Sequence, residues 1–193
     1  MLEFQPLKSA LLVLDMQSYF LDASSHAYVP SSRAIVNGVH QLIKAYSDHQ
    51  LPIFFSQHNN TAKNAGMMSV WWKDLITPDH PHHRIIPEID PSVGRVITKS
   101  QYDAFHQTPL QGMLHTDGVT QVVICGVMTH LCCESTARSA FMRGFEVFFL
   151  VDGTATYNLA YHRASLLNLS HGFASLVFVK DVLATIQGEY EDG

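Results

Sequence analysis

The sequence has few cysteines, few charged residues and no basic segment. Three cysteines in 193 residues do not suit a disulfide framework and favour a reducing compartment. The formal net charge is -5 and Lys and Arg never form a run, so nothing favours nucleic acid or an anionic membrane as a partner. Charged residues make up 15% of the chain and hydrophobic residues 47%, which is typical of a compact globular protein.

The N-terminal segment lacks the pattern of an export signal. It reads MLEFQPLKSALLVLDMQ, with no basic region before its apolar run, and that run ends at Asp15. The run is too short for a signal peptide or a spanning helix, so we expect a cytoplasmic protein with no membrane partner. The length favours one domain over residues 1–193, with a core large enough to fold without disulfide or metal staples.

Short apolar runs alternate with segments of helical spacing. Strands that are apolar throughout belong in a sheet covered on both faces, and strand–helix alternation favours parallel order. The sequence therefore predicts an α/β fold, with three α/β/α layers around a mostly parallel six-stranded sheet. The predicted strands are ALLVLD (10–15), PIFFSQ (52–57), GRVITK (94–99), QVVICGV (121–127), FEVFFLVD (145–152) and ASLVFV (174–179).

Three segments between these strands carry helix signals. Residues 31–49 place their apolar side chains on one face and begin with two serines, either of which can cap the helix. Residues 108–118 predict a short helix that Gly118 closes, and residues 132–144 predict one that ends at Gly144.

The longest irregular segment is 58–91, which contains the adjacent Trp71 and Trp72. Connections in compact α/β domains are usually short, so this length indicates a lid or binding loop, with disorder as the alternative. Two neighbouring indoles are costly to leave in water, which favours the lid. The histidines of the segment lack cysteines or E-x-x-H-type spacing, so we expect a solvated loop rather than a zinc site at His80, His82 and His83.

Two adjacent cysteines, Cys132 and Cys133, follow a predicted strand at the start of a helix. The unpaired N–H groups and the dipole of a helix N-terminus favour an anion, including a thiolate. Free cysteines are also commonly buried as small apolar residues, which is our interpretation of Cys125 within its strand. Position alone leaves open whether either neighbour is reactive, and which one.

Asp15, Lys99 and the loop that carries Cys132 all stand at predicted strand ends. The carboxyl ends of parallel strands meet at one edge of the sheet, where ligands of open α/β sheets bind. Each residue alone also fits a structural role, as a cap, a solvated strand end or packing. Together, a carboxylate, an ammonium and a thiol supply the base, charge stabiliser and nucleophile of covalent acyl chemistry.

Ordered motifs from about residue 10 to about residue 182 resemble those of the isochorismatase-like cysteine hydrolases. This family includes isochorismatases, nicotinamidases and N-carbamoylsarcosine amidases. The resemblance implies that Asp15, Lys99 and Cys132 are the catalytic residues. The motifs are LLVLDMQSYF (11–20), GRVITKSQYDAF (94–105), GVMTHLCCESTARSAFMRG (126–144) and FEVFFLVDGTAT (145–156).

The resemblance also implies a mechanism. In the family's amidases the aspartate accepts the thiol proton, and the thiolate attacks a carbonyl to give a thioester that water hydrolyses. The lysine balances the charge. The backbone N–H groups of Met128 and Cys132 are implied to hold the oxyanion, and the Val127–Met128 peptide is implied to be cis.

Further residues in or near these motifs are implied to bind a small-molecule substrate. Several are aromatic and suit the wall of a pocket for a planar ligand, although each also fits a place in the core. Of the two tryptophans, one is expected in the pocket, and we assign Trp71. The predicted set is Gln17, Phe20, Gln57, Trp71, Tyr102, Phe105, Thr129 and His130.

Two departures from the family pattern affect the prediction. Nicotinamidase-type members bind a metal through an aspartate and histidines after the second strand, where this chain has His58 and Asn60. We therefore expect no metal and no other cofactor, and nicotinamide becomes a poor candidate. Isochorismatases carry glycine where this chain has Cys132 and a cysteine where it has Cys133, so Cys132 is the predicted nucleophile and Cys133 packing.

The expected activity is cofactor-independent hydrolysis of a small amide or ureide through Cys132. One alternative is isochorismatase-type vinyl-ether hydrolysis, with Asp15 as general acid and pyruvate as a product. A second alternative is a non-catalytic scaffold, against which the complete set of Asp15, Lys99 and Cys132 speaks. The family also implies a homodimer or homotetramer. Specificity depends on the conformation of 58–91, so the sequence does not name the substrate.

Overall fold

Six parallel strands form one sheet in the order β3-β2-β1-β4-β5-β6. The computed structural model describes residues 2–191, and side chains as far as residue 188, so the predicted limits 1–193 extend beyond the described part. The predicted α/β fold with a six-stranded sheet is confirmed. The strands are β1 Ser9–Leu14, β2 Ile53–His58, β3 Arg95–Lys99, β4 Gln121–Val127, β5 Glu146–Ala155 and β6 Ser175–Val177.

Helices cover both faces of the sheet, because the strands bury side chains on both sides. In β1, Leu11 and Val13 pack against the helices on one face of the sheet, whereas Leu12 and Leu14 pack against those on the other face. Each fully buried aliphatic side chain contributes about 1.5–3 kcal/mol. The helices are α1 Ser18–Leu21, α2 Ser32–Asp48, α3 Met68–Trp71, α4 Leu110–Thr116, α5 Glu134–Met142, α6 Leu159–Gly172 and α7 Val179–Glu191, with short 3₁₀ turns at Pro6–Lys8 and Pro91–Val93.

The helix ends follow the sequence signals in part. Gly118 and Gly144 adopt positive φ angles of 69° and 86° just after α4 and α5, as predicted. Ser31 occupies the N-cap position of α2, but its Oγ donates to the carbonyl oxygen of Thr156 at 2.6 Å instead of capping the helix. The sequence does not show this, because the carbonyl oxygen that accepts from the hydroxyl is distant in the chain.

The segment 58–91 packs along the residues that follow β1. The N–H groups of Ser18 and Tyr19 donate to the carbonyl oxygens of Arg84 and His82, both at 2.9 Å. The segment also contains the short helix α3, so it is an ordered cover over one end of the sheet. Within residues 2–191, no helix is long and apolar enough to cross a membrane.

The strand order reverses between β1 and β4, because β1 is flanked by β2 on one side and β4 on the other. In open α/β sheets the crevice at such a reversal binds ligands beyond the carboxyl ends of the strands. Asp15 follows β1, and the turn that carries Cys132 follows β4. His58 and Lys99 end β2 and β3, so these four residues share one edge.

Candidate active site

Asp15, Lys99 and Cys132 lie together at this edge of the sheet. Lys99 Nζ is 2.7 Å from Asp15 Oδ2 and 3.3 Å from Cys132 Sγ. All three side chains are buried, and the side chains of Asp15 and Lys99 have no exposed surface. The parallel strands bring the three residues together from positions far apart in the chain.

Asp15 is held by the neighbouring strand β2. Its φ angle is +50°, a left-handed conformation that aspartate tolerates better than most residues. Its N–H donates to the carbonyl oxygen of Ser56 at 3.2 Å and to Ser56 Oγ at 3.1 Å, and Ser56 Oγ donates to Asp15 Oδ1 at 2.6 Å. These contacts leave Oδ2 to face Lys99 and Cys132.

Lys99 is a buried ammonium surrounded by acceptors. Besides Asp15 and Cys132, its Nζ donates to the carbonyl oxygen of Gln101 at 3.0 Å and approaches His58 Nδ1 at 3.3 Å. Burial opposes the charge, but the attraction of the Asp15 carboxylate and the contact with Cys132 raise the pKa of Lys99 above its ordinary value. Lys99 therefore keeps its positive charge in the active site.

Cys132 lies on a π-helical turn, Thr129–Cys133, that precedes α5, so the cysteines do not open the α-helix as predicted. Burial raises the pKa of its thiol to about 12, the Asp15 carboxylate adds to the rise, and Lys99 opposes it. The resting thiol is therefore protonated at neutral pH. Asp15 Oδ2 lies 2.7 Å from Lys99 Nζ and next to the Cys132 thiol, so it can accept that proton.

Cys133 and Cys125 lie within the packed core. Cys133 packs with α5 against the sheet, and Cys125 on β4 donates to the carbonyl oxygen of Leu12 at 3.6 Å. Burial raises the pKa of the Cys133 thiol well above its ordinary value, and the neighbouring Cys132 adds to this. Of the three thiols, only that of Cys132 lines a cavity.

The end of β4 and the residue that follows it have a constrained backbone. Gly126 has a φ angle of +114°, and a Cβ atom there would lie 2.1 Å from the carbonyl oxygen of Leu14. The Val127–Met128 peptide is cis, as the family resemblance implies. The carbonyl oxygen of Met128 accepts from Cys133 N–H at 3.2 Å, and the N–H of Met128 has no acceptor within the described residues.

The active-site cavity has a volume of about 260 Å³ and Cys132 in its wall. Cys132 is 4% exposed, whereas the side chains of His26 and Asp74 are 63% and 47% exposed, so the thiol lies deep and the latter two at the mouth. The cavity is lined by Tyr19, Phe20, His26, Ala27, His58, Asn60, Met68, Trp72, Asp74, Leu75, Ile76, Tyr102, Met128, Leu131, Cys132 and Tyr157.

Among the predicted substrate-binding residues, Phe20 and Tyr102 line this cavity. Of the two tryptophans, Trp72 lines it and donates its Nε1–H to Tyr102 Oη at 2.6 Å. Trp71 is 73% exposed and lies outside it, so the assignment of Trp71 to the cavity wall is corrected to Trp72. Successive residues of α3 and its end point in different directions, and no sequence pattern marks which one faces inward.

The other predicted substrate-binding residues lie outside the cavity and support its walls. Gln17 binds the backbone of His58, and Gln57 Nε2 donates to the carbonyl oxygen of His83 at 2.9 Å. Phe105 packs against Phe145 in the core. Two residues of the π-helical turn form hydrogen bonds to residues that do not line the cavity. Thr129 Oγ1 lies 3.1 Å from His162 Nδ1, and His130 Nδ1 lies 2.7 Å from Thr156 Oγ1.

Several site residues were not predicted from the sequence. Ser56 and His58 project from the same side of β2, two positions apart, and reach Asp15 and Lys99. The strand ends in three consecutive polar residues, Ser56, Gln57 and His58, and alternation places the first and the last of them on the same face, a signal that the sequence contains. At the mouth, Tyr19 Oη donates to Asp74 Oδ2 at 3.1 Å, and His26 Nε2 is 3.2 Å from Tyr19 Oη.

Asp15, His58 and Cys132 offer ligand atoms within 4.8 Å of one another, a spacing that could hold a metal ion. Lys99 Nζ lies between these donors, 2.7 Å from the carboxylate oxygen and 3.3 Å from both the sulfur and His58 Nδ1. A divalent cation among the same atoms would face strong repulsion from the ammonium. The donor set therefore fits the lysine and does not fit a metal ion.

Comparisons with known proteins show which proteins this chain resembles. The chain is 42% identical over 174 residues to "Nicotinamidase 3" of Arabidopsis thaliana, covering 88% of this chain and 84% of the relative. It is 26% identical over 183 residues to "Enterobactin synthase component B" of Escherichia coli, covering 93% of this chain and spanning 64% of that protein's length.

The fold is shared with a solved cysteine hydrolase from Pseudomonas syringae pv. phaseolicola. The two match with a TM-score of 0.92 and 25% identity over 96% of this chain and 95% of the other. The model of the isochorismatase domain matches residues 9–181. The chain therefore belongs to the isochorismatase family of hydrolases, as its motifs predicted.

Proposed function

We propose that this protein hydrolyses the C–N bond of a small amide or ureide through a thioester on Cys132. The observation that carries this proposal is the contact of Lys99 Nζ with both Asp15 Oδ2 and Cys132 Sγ, beside a cavity that the sulfur lines. A nucleophile, a base and a fixed positive charge in one buried site are the components of covalent acyl transfer.

The first half of the reaction forms the thioester. Asp15 takes the proton of Cys132, and the sulfur bonds to the substrate carbonyl carbon. Between these two events the negative charge moves from the Asp15 carboxylate to the sulfur, and the Lys99 ammonium balances it in both places. The backbone N–H groups of Met128 and Cys132 stabilise the oxyanion, and the protonated Asp15 gives its proton to the departing nitrogen as the C–N bond breaks.

The second half releases the product. A water molecule attacks the thioester carbonyl while Asp15 accepts one of its protons. The C–S bond then breaks, the carboxylic acid leaves, and the proton returns from Asp15 to the sulfur. Because Cys132 is protonated at rest, Asp15 must take its proton as the sulfur attacks the carbonyl carbon.

The shape and lining of the cavity support a small planar substrate. Phe20, Trp72, Tyr102 and Tyr157 give it aromatic walls, and a volume of about 260 Å³ suits a single small ring. A planar, uncharged amide fits these walls. The 42% identity to a protein named nicotinamidase runs against the expectation that nicotinamide is a poor candidate, and nicotinamide is the first substrate to test.

Isochorismatase-type hydrolysis is less compatible with the cavity. Its products are pyruvate and a ring acid, so its substrate carries two carboxylates. Among the described residues that line the cavity, none is Lys or Arg, and Asp74 at the mouth is itself acidic. A dianion would meet no Lys or Arg on the cavity wall and would pass the acidic Asp74.

The test is ammonia release from a panel that contains nicotinamide, benzamide, short aliphatic amides and N-carbamoyl compounds. We expect turnover of at least one planar amide and a loss of about a thousandfold or more in Cys132→Ala. Cys133→Ala is the matched control and is expected to keep activity within about threefold, since its side chain packs in the core. Intact-protein mass spectrometry after rapid quenching should detect the acyl adduct on Cys132.

Two outcomes would contradict the proposal. Full turnover in Cys132→Ala would exclude the thioester, and isochorismate would then be tested with Asp15→Asn. An inactive wild-type protein on the whole panel, with isochorismate included, would favour the scaffold instead.

A further inference from the structure

We propose that His58 is a positioning residue for Lys99: a neutral imidazole, locked in one tautomer by Asn60, that holds the ammonium between Asp15 and Cys132. His58 Nδ1 lies 3.3 Å from Lys99 Nζ, and both side chains are buried. The proposed reaction does not use His58 directly. The inference rests on the proposed roles of Lys99 and Cys132, but not on the identity of the substrate.

The tautomer of His58 follows from its two partners. Asn60 Nδ2 donates to the carbonyl oxygen of Ser100 at 2.9 Å, which turns Asn60 Oδ1 toward His58 Nε2, also at 2.9 Å. An amide oxygen only accepts, so Nε2 must carry the proton. Nδ1 is then a bare lone pair, and the atom in front of it is Lys99 Nζ, which only donates.

The backbone of His58 is fixed as well. The Gln17 carboxamide pairs with it like a neighbouring strand, accepting from His58 N–H at 2.7 Å and donating to the His58 carbonyl oxygen at 3.1 Å. His58 is also in register with Lys99 across the β2–β3 ladder, and Asn59 N–H donates to the Lys99 carbonyl oxygen at 2.9 Å. The backbone of His58 is thus held from both sides, which fixes the point from which the imidazole projects.

The position of the Lys99 ammonium depends on several acceptors that compete for its protons. Its three N–H bonds face four partners: the carboxylate, the sulfur, the Gln101 carbonyl oxygen and His58 Nδ1. Without the imidazole, the other acceptors can draw the ammonium away from the sulfur. Its distance from the sulfur determines how well it stabilises the thiolate.

The charge of His58 must remain zero for this role. Burial lowers its pKa to about 4, and the positive charge of Lys99 acts in the same direction. The charged groups around the ring are Lys99 and Asp15, and the thiol of Cys132 completes the cluster. A proton on Nδ1 would point at the ammonium and push it out of place.

The experiment measures the rate of Cys132 alkylation by iodoacetamide from about pH 6 to about pH 10, with adducts located by peptide mass spectrometry. His58→Leu removes the acceptor, and we expect alkylation of Cys132 near neutral pH to slow by about tenfold, with the profile displaced to higher pH. His58→Asn is the matched control, because its Oδ1 can replace Nδ1 as an acceptor; we expect its rate within about threefold of wild type.

A second variant covers the case in which His58→Leu does not fold. Asn60→Asp places a carboxylate beside Nε2, raises the pKa of His58 and charges the ring near neutral pH. The pH below which the alkylation rate falls, the acid limb of the profile, should then rise by about one pH unit or more. A merely structural role of His58 would not produce this shift.

Identical profiles for wild type and His58→Leu would overturn the proposal, as would a loss in His58→Asn equal to that in His58→Leu. An unchanged acid limb in Asn60→Asp would do the same. These readouts need no substrate. If no amide is turned over but the alkylation results hold, the proposed function fails and the positioning role stands.

Discussion

Asp15 Oδ2 and Lys99 Nζ lie 2.7 Å apart, and neither side chain has any surface exposed to solvent. A buried ion pair of this kind gains little net stability, because desolvation offsets the attraction, but removing one partner leaves an uncompensated charge. The two residues of the proposed catalytic set are therefore also expected to affect folding.

The ion pair gives a prediction for stability. Lys99→Met should lower the free energy of unfolding by about 3–5 kcal/mol, because Asp15 remains buried without its cation. The double variant Asp15→Asn with Lys99→Met should be more stable than Lys99→Met alone, since the two residues are coupled. Urea unfolding at neutral pH measures both. Equal stability of Lys99→Met and wild type would contradict the prediction, because it would show that Asp15 tolerates the loss of its cation.

His58 gives a prediction for pH. Its pKa is about 4 in the folded protein against an ordinary value of 6.5, so between these values the unfolded chain binds more protons. Stability should fall as pH decreases from 6.5 to 4, by up to about 3 kcal/mol from this residue. Unfolding of wild type and His58→Asn across this range isolates the contribution, and parallel curves for the two proteins would argue against it.

Gly126 gives a prediction for the end of β4. Gly126→Ala combines a φ angle of +114° with a Cβ atom 2.1 Å from the Leu14 carbonyl oxygen, and should cost about 3 kcal/mol or more, or prevent folding. Gly112→Ala is the control: it lies within α4 with nothing inside 4 Å and should stabilise by about 0.5–1 kcal/mol. Thermal and urea unfolding compare the two, and a well-folded Gly126→Ala would contradict the geometry.

The tryptophans give a prediction for substrate binding. Trp72→Phe removes a cavity wall and the hydrogen bond to Tyr102, so KM for a planar amide should rise by about three- to tenfold. Trp71→Phe, on the neighbouring exposed residue, should change KM by less than about twofold. Steady-state kinetics on the best substrate of the panel decide this, and a larger effect at Trp71 would restore the sequence-based assignment.

Much of the fold follows from local patterns in the chain. All six strands were predicted within three residues of their observed ends, because a strand buried on both faces is a continuous apolar run. The convergence of Asp15, Lys99 and Cys132 was predictable for a related reason: parallel strands end at one edge, whatever lies between them in sequence. The family motifs then distinguished Cys132 from Cys133.

Only the tertiary structure decided which side chains face the cavity and which charges they carry. Trp72 rather than Trp71 lines the wall, and Gln17 turns to the backbone of His58, since these directions depend on segments distant in the chain. The protonated state of Cys132 likewise results from burial and from the neighbouring Asp15 carboxylate, which together outweigh the opposing effect of Lys99. Sequence periodicity determined the scaffold and its reactive edge, while packing determined the chemistry at that edge.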